Sequence, residues 1–239
     1  MTLADDPTRP ILLSEAHLAR ITPVAEGPLH NPDWRMLEDA DLDRLAEGLV
    51  RDRSGPVPVF AYGSLIWNPG FAVGARRRAT AIGWHRDFSI SLDHFRGSPG
   101  RPGLMLALAA GGHCEGLVLD IAAGTEAESL RAVLRRELVA HELSANARWI
   151  EVQTARGREQ ALTFYAGPVG TQLARLTIRQ QARRLARAAG VAGSGAEYLL
   201  RTARGLAENG IHDDYIWTLQ RLVAEEIEAD AGDKAGPAG

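Results

Sequence analysis

The residue in this sequence best suited to acid–base chemistry is a glutamate within a helical pattern. Residues 125–143 read TEAESLRAVLRRELVAHEL, and Thr125 followed three residues later by Glu128 is a capping-box signature for a helix start. On a helical wheel of this segment, Glu137 lies seven residues from Leu130 and therefore on or beside the apolar stripe. A carboxylate in that position is a candidate for taking and giving protons.

Two interpretations of Glu137 are open on the helical spacing alone. In the first, the carboxylate lies at the edge of the stripe and pairs with an arginine such as Arg135 or Arg136, as charged groups on stripe edges commonly do. In the second, it faces a pocket whose apolar walls raise its proton affinity, which suits a general acid and base. The spacing does not choose between them.

A second candidate is the stretch VFAYGSLIWNPG, residues 59–70, where an apolar run breaks at Gly63 and Ser64. A glycine there allows a sharp turn or the close approach of another group, and the amides of Gly63, Ser64 and Leu65 can then point at an anion. The alternative is a turn that simply ends a buried strand. Both hypotheses predict a strand that is followed directly by a turn.

Composition and motifs exclude several other kinds of site. The 27 Lys and Arg residues against 30 Asp and Glu give a net charge of −3 without a concentrated basic face, so we expect no nucleic-acid partner. The single cysteine, Cys114, excludes a disulfide framework and is typical of a small buried apolar residue. The seven histidines show no metal-ligand spacing, and Ser64 lacks the sequence frame of a serine hydrolase. The run Arg76-Arg77-Arg78 predicts a solvated turn.

Charge and hydropathy also predict a location. The first ten residues carry Asp5 and Asp6 where a secretion signal needs positive charge. No apolar stretch reaches the roughly 18 residues that a membrane-spanning helix needs. We therefore predict a cytoplasmic protein with no membrane partner; the sequence does not indicate an oligomeric state.

The pattern of helices and strands indicates the fold that must position these residues. Helical spacing covers residues 37–50 and 125–143, and strand-length runs cover 57–62, 79–92, 104–109, 113–121, 149–155 and 160–167. Three further helices are predicted at 171–189, 194–208 and 213–229, with Asp213 as an N-cap. This order favours an α+β fold with a curled, barrel-like mixed or antiparallel sheet and peripheral and C-terminal helices. We divide the chain into an amino-terminal arm and helix (1–54), a main domain (55–229) and a disordered tail (230–239).

Several segments, taken in order, resemble the ChaC-like γ-glutamylcyclotransferase family. FAYGSLIWNPGF is similar to the family's substrate loop, and GWHRDFSISLDHFRGSPGRPGLMLALAAGGHCEG is similar to its central strands and turns. RREL at 135–138 resembles the Arg-Glu element that carries the catalytic glutamate, and GAEYLL with ENGIHDD resembles the helical end of the domain. One departure is that no Tyr follows the Arg-Glu pair in VAHELSANARW. The resemblance runs from about residue 57 to about residue 223 and makes 55–229 a γ-glutamylcyclotransferase-like domain.

The resemblance implies cleavage of glutathione to 5-oxoproline and Cys-Gly. The α-amine of the glutamyl group would attack its own side-chain carbonyl, so the reaction needs neither a metal nor a cofactor. By the family's pattern, Glu137 is the catalytic general base and acid, and Tyr62, Gly63, Ser64 and Leu65 hold the glutamyl end of the substrate.

Two further substrate contacts, Arg96 and Tyr198, are weaker hypotheses, because a surface turn and a core tyrosine explain them equally well. The function also has alternatives. One is a cyclotransferase for other γ-glutamyl amines or γ-glutamyl amino acids, and another is a non-catalytic protein that binds a γ-glutamyl ligand.

Overall fold

The computed structural model describes residues 10–167 and 171–234. The helices are α1 (Glu15–Leu18), α2 (Asp39–Val50), α3 (Ser64–Trp67), α4 (Glu126–Leu138), α5 (Ile178–Arg187), α6 (Gly195–Glu208) and α7 (Asp214–Lys234), with a 3-10 helix at His141–Asn146. The strands are β1 (Pro58–Ala61), β2 (Val73–Leu92), β3 (Gly103–Ile121), β4 (Ala147–Thr154), β5 (Gly157–Phe164), β6 (Ala189–Gly190) and β7 (Gly193–Ser194). This combination, with the barrel described below, confirms the predicted α+β class with a barrel-like sheet.

The chain divides into two compact units. The barrel unit comprises Asn31–Ile90 and Leu106–Leu173, and the helical unit comprises Met1–His30, Ser91–Met105 and Ala174–Gly239. Each unit is therefore assembled from segments that are distant in sequence. This division differs from the predicted boundaries at 54 and 229, which stay a prediction for the domain organisation.

The barrel unit contains a closed barrel with strand order β1-β3-β2-β4-β5. Three neighbouring pairs run antiparallel, namely β1 with β3, β2 with β4 and β4 with β5, whereas β1 closes the barrel by running parallel to β5, with Val59 opposite Leu162. Apolar residues at alternating positions fill the interior, as the two-residue period of a strand requires. The interior cluster is Phe60, Ala79, Ala81, Leu108, Cys114, Val118, Ile150, Val152 and Ala161. The predicted burial of Cys114 is confirmed at 1% exposure.

Two expectations about these strands are wrong. Residues 76–78 lie within β2 rather than in a solvated turn, and Arg77 there pairs with Asp120 and Glu159. The two strands predicted on either side of Gly111 and Gly112 form one strand, β3, in which both glycines keep a positive φ. Glycine adopts that conformation without cost, so the strand bends there without ending.

The helical unit is built around α7, against which α5 and α6 pack. The carboxylate of Asp213 accepts a hydrogen bond from the amide of Ile216 at 3.0 Å, which confirms the predicted N-cap. The amides of Leu12 and Leu13 both donate to Oε1 of Gln220, at 2.8 and 2.9 Å, and this ties the amino-terminal segment to α7 within the unit. Helix α7 runs to Lys234, so residues 230–234 of the predicted tail are helical. Residues 1–9 of the arm and 235–239 of the tail lie outside the described residues.

Two features are absent from the described residues. None of the helices there combines the length and the apolar character that crossing a membrane requires. Across the same residues, no group of three or more His, Cys, Asp and Glu side chains is arranged to hold a metal ion.

Candidate active site

The loop that follows β1 begins the candidate site. Residues 59–61 of β1 are buried, and Gly63 then turns the chain directly into the short helix α3, with its carbonyl accepting from the amide of Ile66 at 3.0 Å. In the described part of the chain, no acceptor is found for the amides of Ser64 and Leu65. Donors at a helix start that the protein leaves unsatisfied can bind a ligand oxygen. The predicted order of strand and turn is confirmed.

Two residues of the neighbouring strands fix this loop. Nε of Arg86, a side chain only 3% exposed, donates to the carbonyl of Tyr62 at 2.7 Å. On β3, Gly116 lets β1 approach closely, because a Cβ at that position would lie 2.4 Å from the carbonyl oxygen of Ala61. A buried charge that donates to a backbone carbonyl holds it far more rigidly than a solvated side chain does. The loop is therefore anchored immediately before Gly63.

Glu137 lies in the last turn of α4, at the edge of the buried stripe. Leu134 and Leu138 on either side of it are fully buried, whereas the Glu137 side chain is 22% exposed. Its burial raises the pKa of the carboxyl group above the usual 4.5, and the nearby charge of Arg136 offsets only part of that effect. The carboxylate is thus accessible to a small molecule but poorly solvated, as a group that exchanges protons needs to be.

Arg136 connects this glutamate to the loop. Its Nε lies 3.2 Å from Oε1 of Glu137, and one terminal nitrogen donates to Oγ of Ser64 at 2.7 Å. The other terminal nitrogen donates to the carbonyl of Asn68. The planar guanidinium therefore brings two predicted site residues, Ser64 and Glu137, to one side chain. The pairing with an arginine that the first interpretation predicts is present, and burial raises the pKa of the carboxyl group, as the second expects; the catalytic role of Glu137 stays a prediction.

Sequence reasoning named Arg136 only as a pairing partner and missed its contacts with the loop. Those contacts span 72 and 68 residues of sequence, so helical spacing cannot reveal them. The only hint of these contacts in the sequence is the pair of adjacent arginines, Arg135 and Arg136. Arg135 and Arg136 point to different partners, and Arg135 pairs with Asp39 of α2 at the surface.

The end of α4 is held in an unusual backbone conformation. Val139, which follows Glu137 by two residues, has a φ of 39°, which is rare for a β-branched residue. Residues 35–37 support this turn, because the amide of Leu37 donates to the carbonyl of Val139 at 3.1 Å and the amide of His141 donates to the carbonyl of Arg35 at 2.9 Å. The helix therefore ends at Leu138, earlier than the predicted pattern through residue 143, and strain of this kind persists only where its surroundings enforce it.

The predicted capping box at the start of the same helix does not form. Thr125 occupies the N-cap position but makes no side-chain cap; its hydroxyl instead donates to the carbonyl of Ala122 at 2.8 Å. The sequence signature therefore located the helix start correctly but not its hydrogen bonds. Hydroxyl groups satisfy a turn carbonyl as readily as a helix amide.

Arg96 and Tyr198, the two weaker candidates, belong to the helical unit and contact each other. The guanidinium carbon of Arg96 lies 5.3 Å from the centre of the Tyr198 ring, and its terminal nitrogen donates to the carbonyl of Ser194 at 3.2 Å. Arg96 lies in a turn and its side chain is 12% exposed, whereas Tyr198 is buried at 4% exposure, as a core tyrosine would be. Burial lowers the pKa of the Arg96 guanidinium. Their proposed contact with substrate stays a prediction.

Comparisons with known proteins agree with this geometry. The family model of ChaC-like protein matches residues 57–226. A glutathione-specific γ-glutamylcyclotransferase of Escherichia coli (strain K12) is 32% identical over 183 residues, which are 74% of this chain and 78% of that protein. γ-Glutamylcyclotransferase 2-1 of Arabidopsis thaliana is 25% identical over 71% of this chain and 83% of its own length. Among solved structures, a γ-glutamyl cyclotransferase from yeast specific to glutathione matches with a TM-score of 0.63 over 72% of this chain and 97% of its own, at 19% identity, a likeness of fold.

Proposed function

Because the chain belongs to the ChaC-like family, we propose that it is a γ-glutamylcyclotransferase that cleaves glutathione to 5-oxoproline and Cys-Gly. The observation that carries the proposal is the single guanidinium of Arg136, which joins Ser64 of the loop to Glu137. The similarity to the Escherichia coli enzyme supports glutathione as the substrate. The cytoplasm, which the proposal includes as the location, is consistent with one cysteine and no disulfide framework.

The proposed reaction is an intramolecular aminolysis. Glu137 accepts a proton from the α-ammonium of the glutamyl group, and the resulting amine attacks the γ-carbonyl carbon of the same group. A carbon–nitrogen bond forms to close the five-membered ring, and the bond to the nitrogen of Cys-Gly breaks. The protonated Glu137 gives its proton to that departing nitrogen, and the regenerated carboxylate then takes the second proton from the ring nitrogen and passes it to the released amine. Cys-Gly therefore leaves as an ammonium, 5-oxoproline has a neutral lactam N–H, and no water is consumed.

The environment of Glu137 suits both proton transfers. A carboxylate with an ordinary pKa is too weak a base to deprotonate an ammonium readily, and burial raises the pKa of this one. The single contact with Arg136 keeps the charged form accessible, because an adjacent cation stabilises the carboxylate. Burial, partly offset by one cation, therefore favours a carboxyl group that both accepts and returns a proton more readily than an exposed glutamate does.

The loop supplies the other requirement, which is a fixed conformation of the glutamyl group. Ring closure needs the amine within reach of the carbonyl, and positioning of this kind contributes about 7 to 11 kcal/mol to a reaction. In the proposal, the amides of Ser64 and Leu65 and the hydroxyl of Ser64 hold the glutamyl end, and Tyr62 and Gly63 set the path of the loop. Arg86 and Arg136 keep that path fixed from two sides.

The test is mass-spectrometric detection of 5-oxoproline and Cys-Gly from glutathione, with wild type and Glu137→Gln measured together. We expect both products from wild type and a loss of about a thousandfold in rate in the variant, which corresponds to about 4 kcal/mol of barrier. Glu128→Gln is the matched control, because it makes the same change on an exposed position of the same helix; it should keep full activity.

Three other outcomes are informative. Equal activity of wild type and Glu137→Gln would show that Glu137 is structural. If wild type consumed other γ-glutamyl amines but not glutathione, the substrate assignment would be wrong and the proposed reaction would stand. Tight glutathione binding without any turnover by wild type would favour the non-catalytic alternative.

A further inference from the structure

A second arginine of the barrel unit lies against two aromatic rings. The guanidinium carbon of Arg148 lies 5.3 Å from the ring centre of Trp84 and 5.0 Å from that of Tyr165. The two rings contact each other edge to face, with centres 5.8 Å apart. We call these three residues the aromatic clamp. Cations within about 6 Å of a ring centre are attracted to it, so the clamp orients the arginine before any ligand arrives.

The clamp belongs to the end of the barrel where β4 begins and β5 ends. Arg148 and Ile150 alternate onto the same face of β4, and Ile150 belongs to the barrel interior. Across the ladder, Arg148 is opposite Thr163, and Tyr165 follows Thr163 on that same face. Both rings of the clamp also pack against the interior cluster. The guanidinium is therefore mounted on the rigid wall of the barrel.

The structure leaves the polar edge of Arg148 to solvent. Within the described residues, no carboxylate pairs with its guanidinium and no protein oxygen accepts from it; its two contacts are the aromatic faces. The side chain is exposed. The guanidinium is planar and its five N–H donors form a fixed fork, a geometry that matches a carboxylate. The clamp thus presents an unpaired and oriented cation.

The clamp and the loop of the candidate active site lie at the same end of the barrel. Because β1 and β5 run parallel with Val59 opposite Leu162, the residues three positions further on, Tyr62 and Tyr165, lie at the same end of the barrel. The Tyr62 side chain packs on the interior cluster, as both clamp rings do. Two residues after Tyr62, Ser64 accepts a hydrogen bond from Arg136.

We propose that Arg148 binds the terminal carboxylate of the Cys-Gly portion of the substrate, an inference that rests on the proposed function. The loop and Glu137 account for the glutamyl end and the scissile bond, and the remaining anionic group of glutathione is the glycine carboxylate. The clamp makes Arg148 a specificity determinant for peptides with a free carboxylate in this position.

The experiment measures binding in Glu137→Gln, which is not expected to consume the ligand. Isothermal titration calorimetry compares glutathione with its carboxyl-terminal amide, which differs only in lacking the glycine charge. We expect glutathione to bind about 10- to 100-fold more tightly than the amide, the usual range for a hydrogen-bonded charge pair. Adding Arg148→Met should weaken glutathione binding to the level of the amide, and Arg148→Lys should restore part of the difference.

Arg53→Met is the matched control. Arg53 also stacks on a tryptophan, 3.5 Å above the ring of Trp149, the residue next to Arg148 on the opposite face of β4. This variant should keep the preference for glutathione over the amide in full. If Arg53→Met also lost the preference for glutathione over the amide, the effect would come from a general disturbance of β4, and the proposal would be overturned.

The result separates this inference from the proposed function. Equal affinities for the two ligands, no measurable glutathione binding, or a preference that survives Arg148→Met would each overturn the role of Arg148 even if wild type releases 5-oxoproline. A preference that disappears with Arg148→Met would support the role even if wild type releases none. In an active enzyme, Arg148→Met should raise KM for glutathione about 10- to 100-fold with little change in kcat, since it removes binding that is common to ground and transition states.

Discussion

The barrel unit contains two partly buried arginine–carboxylate clusters, and the two arginines donate to different kinds of group. In the first, Arg77 donates to Oδ2 of Asp120 at 2.6 Å and through two nitrogens to the carboxylate of Glu159. All of its interactions are with acids. These hydrogen bonds lower the pKa of Glu159 and raise that of Arg77, so both groups are held in their charged forms.

In the second cluster, Arg136 gives most of its donors to neutral oxygens. Only Nε faces Glu137, while the terminal nitrogens bind Ser64 and Asn68. Burial then outweighs the single charge contact, and the pKa of Glu137 is raised rather than lowered. An adjacent arginine therefore does not by itself fix a carboxylate as an ion; the balance between burial and the number of donors that the carboxylate receives decides the direction of its pKa shift.

The largest effect expected within this comparison comes from Arg136→Met. The change removes the hydrogen bonds that Arg136 donates to Ser64 and Asn68, together with the cation beside Glu137. We expect kcat/KM for glutathione to fall about 100-fold, which corresponds to roughly 2.7 kcal/mol of activation free energy. Because the cation lowers the pKa of Glu137, its loss should also move the acidic limb of the pH–rate profile upward. Steady-state kinetics across pH measure both effects.

Arg135→Met is the control for that variant. It removes the neighbouring arginine, whose partner is Asp39 at the surface, and should change kcat/KM less than twofold, about 0.4 kcal/mol. Arg136→Lys keeps the charge but lacks the planar guanidinium, so its kcat/KM for glutathione should lie between those of wild type and Arg136→Met. A fall in rate without any movement of the acidic limb would contradict the positioning role and indicate simple damage to the loop.

A smaller effect, on stability alone, is expected from Arg77→Met. The variant leaves Asp120 and Glu159 without their shared cation, and we expect the free energy of unfolding to fall by about 1 to 3 kcal/mol, between the values for surface and for buried pairs. The turnover of glutathione by the folded protein should stay at the wild-type level. Chemical denaturation measures the free energy of unfolding, and the turnover rate at denaturant concentrations well below the unfolding midpoint measures the activity of the folded protein.

Arg78→Met is the corresponding control. Arg78 pairs with Glu115 where both side chains are well exposed, at 57% and 42%. Its removal should cost less than about 1 kcal/mol. If Arg77→Met and Arg78→Met lowered the free energy of unfolding equally, the first cluster would contribute no more to stability than an exposed ion pair does.

Local patterns allowed much of the fold to be predicted. The strand before Gly63, the helix that carries Glu137 and the N-cap at Asp213 all follow from short-range periodicity and capping chemistry, and the structure confirms them. The predictions were wrong where long-range pairing decided the outcome. Residues 76–78 look solvated by charge, yet Asp120 and Glu159 neutralise Arg77 and allow β2 to extend through them.

The same limit applies to the candidate site. The residue types at Ser64 and Glu137 indicated their chemistry, and the resemblance to a family linked them. The bridge through Arg136 and the aromatic clamp around Arg148 could not be predicted, because each joins residues that approach only after the barrel closes. Their sequence signal is an arginine beside another charged or aromatic residue, which is common on protein surfaces.

The smallest effect expected is a difference in how the stability of two variants depends on pH. The raised pKa of Glu137 means that the folded state binds its proton more tightly than the unfolded state does, so wild type loses stability as pH rises from the usual 4.5 toward the raised value. Glu137→Gln removes this loss and should become progressively more stable relative to wild type over that window. Thermal unfolding of both proteins from about pH 4 to about pH 8 measures it.

Glu159→Gln should show the opposite trend in the same experiment. The lowered pKa of Glu159 stabilises the folded state above its usual pKa, and that contribution disappears as pH falls through the lowered value. This variant should therefore be less stable than wild type near neutral pH, with the gap closing in acid. If both variants instead followed wild type in parallel at every pH, the two carboxylates would be electrostatically alike, and the distinction drawn from the donors of Arg77 and Arg136 would not hold.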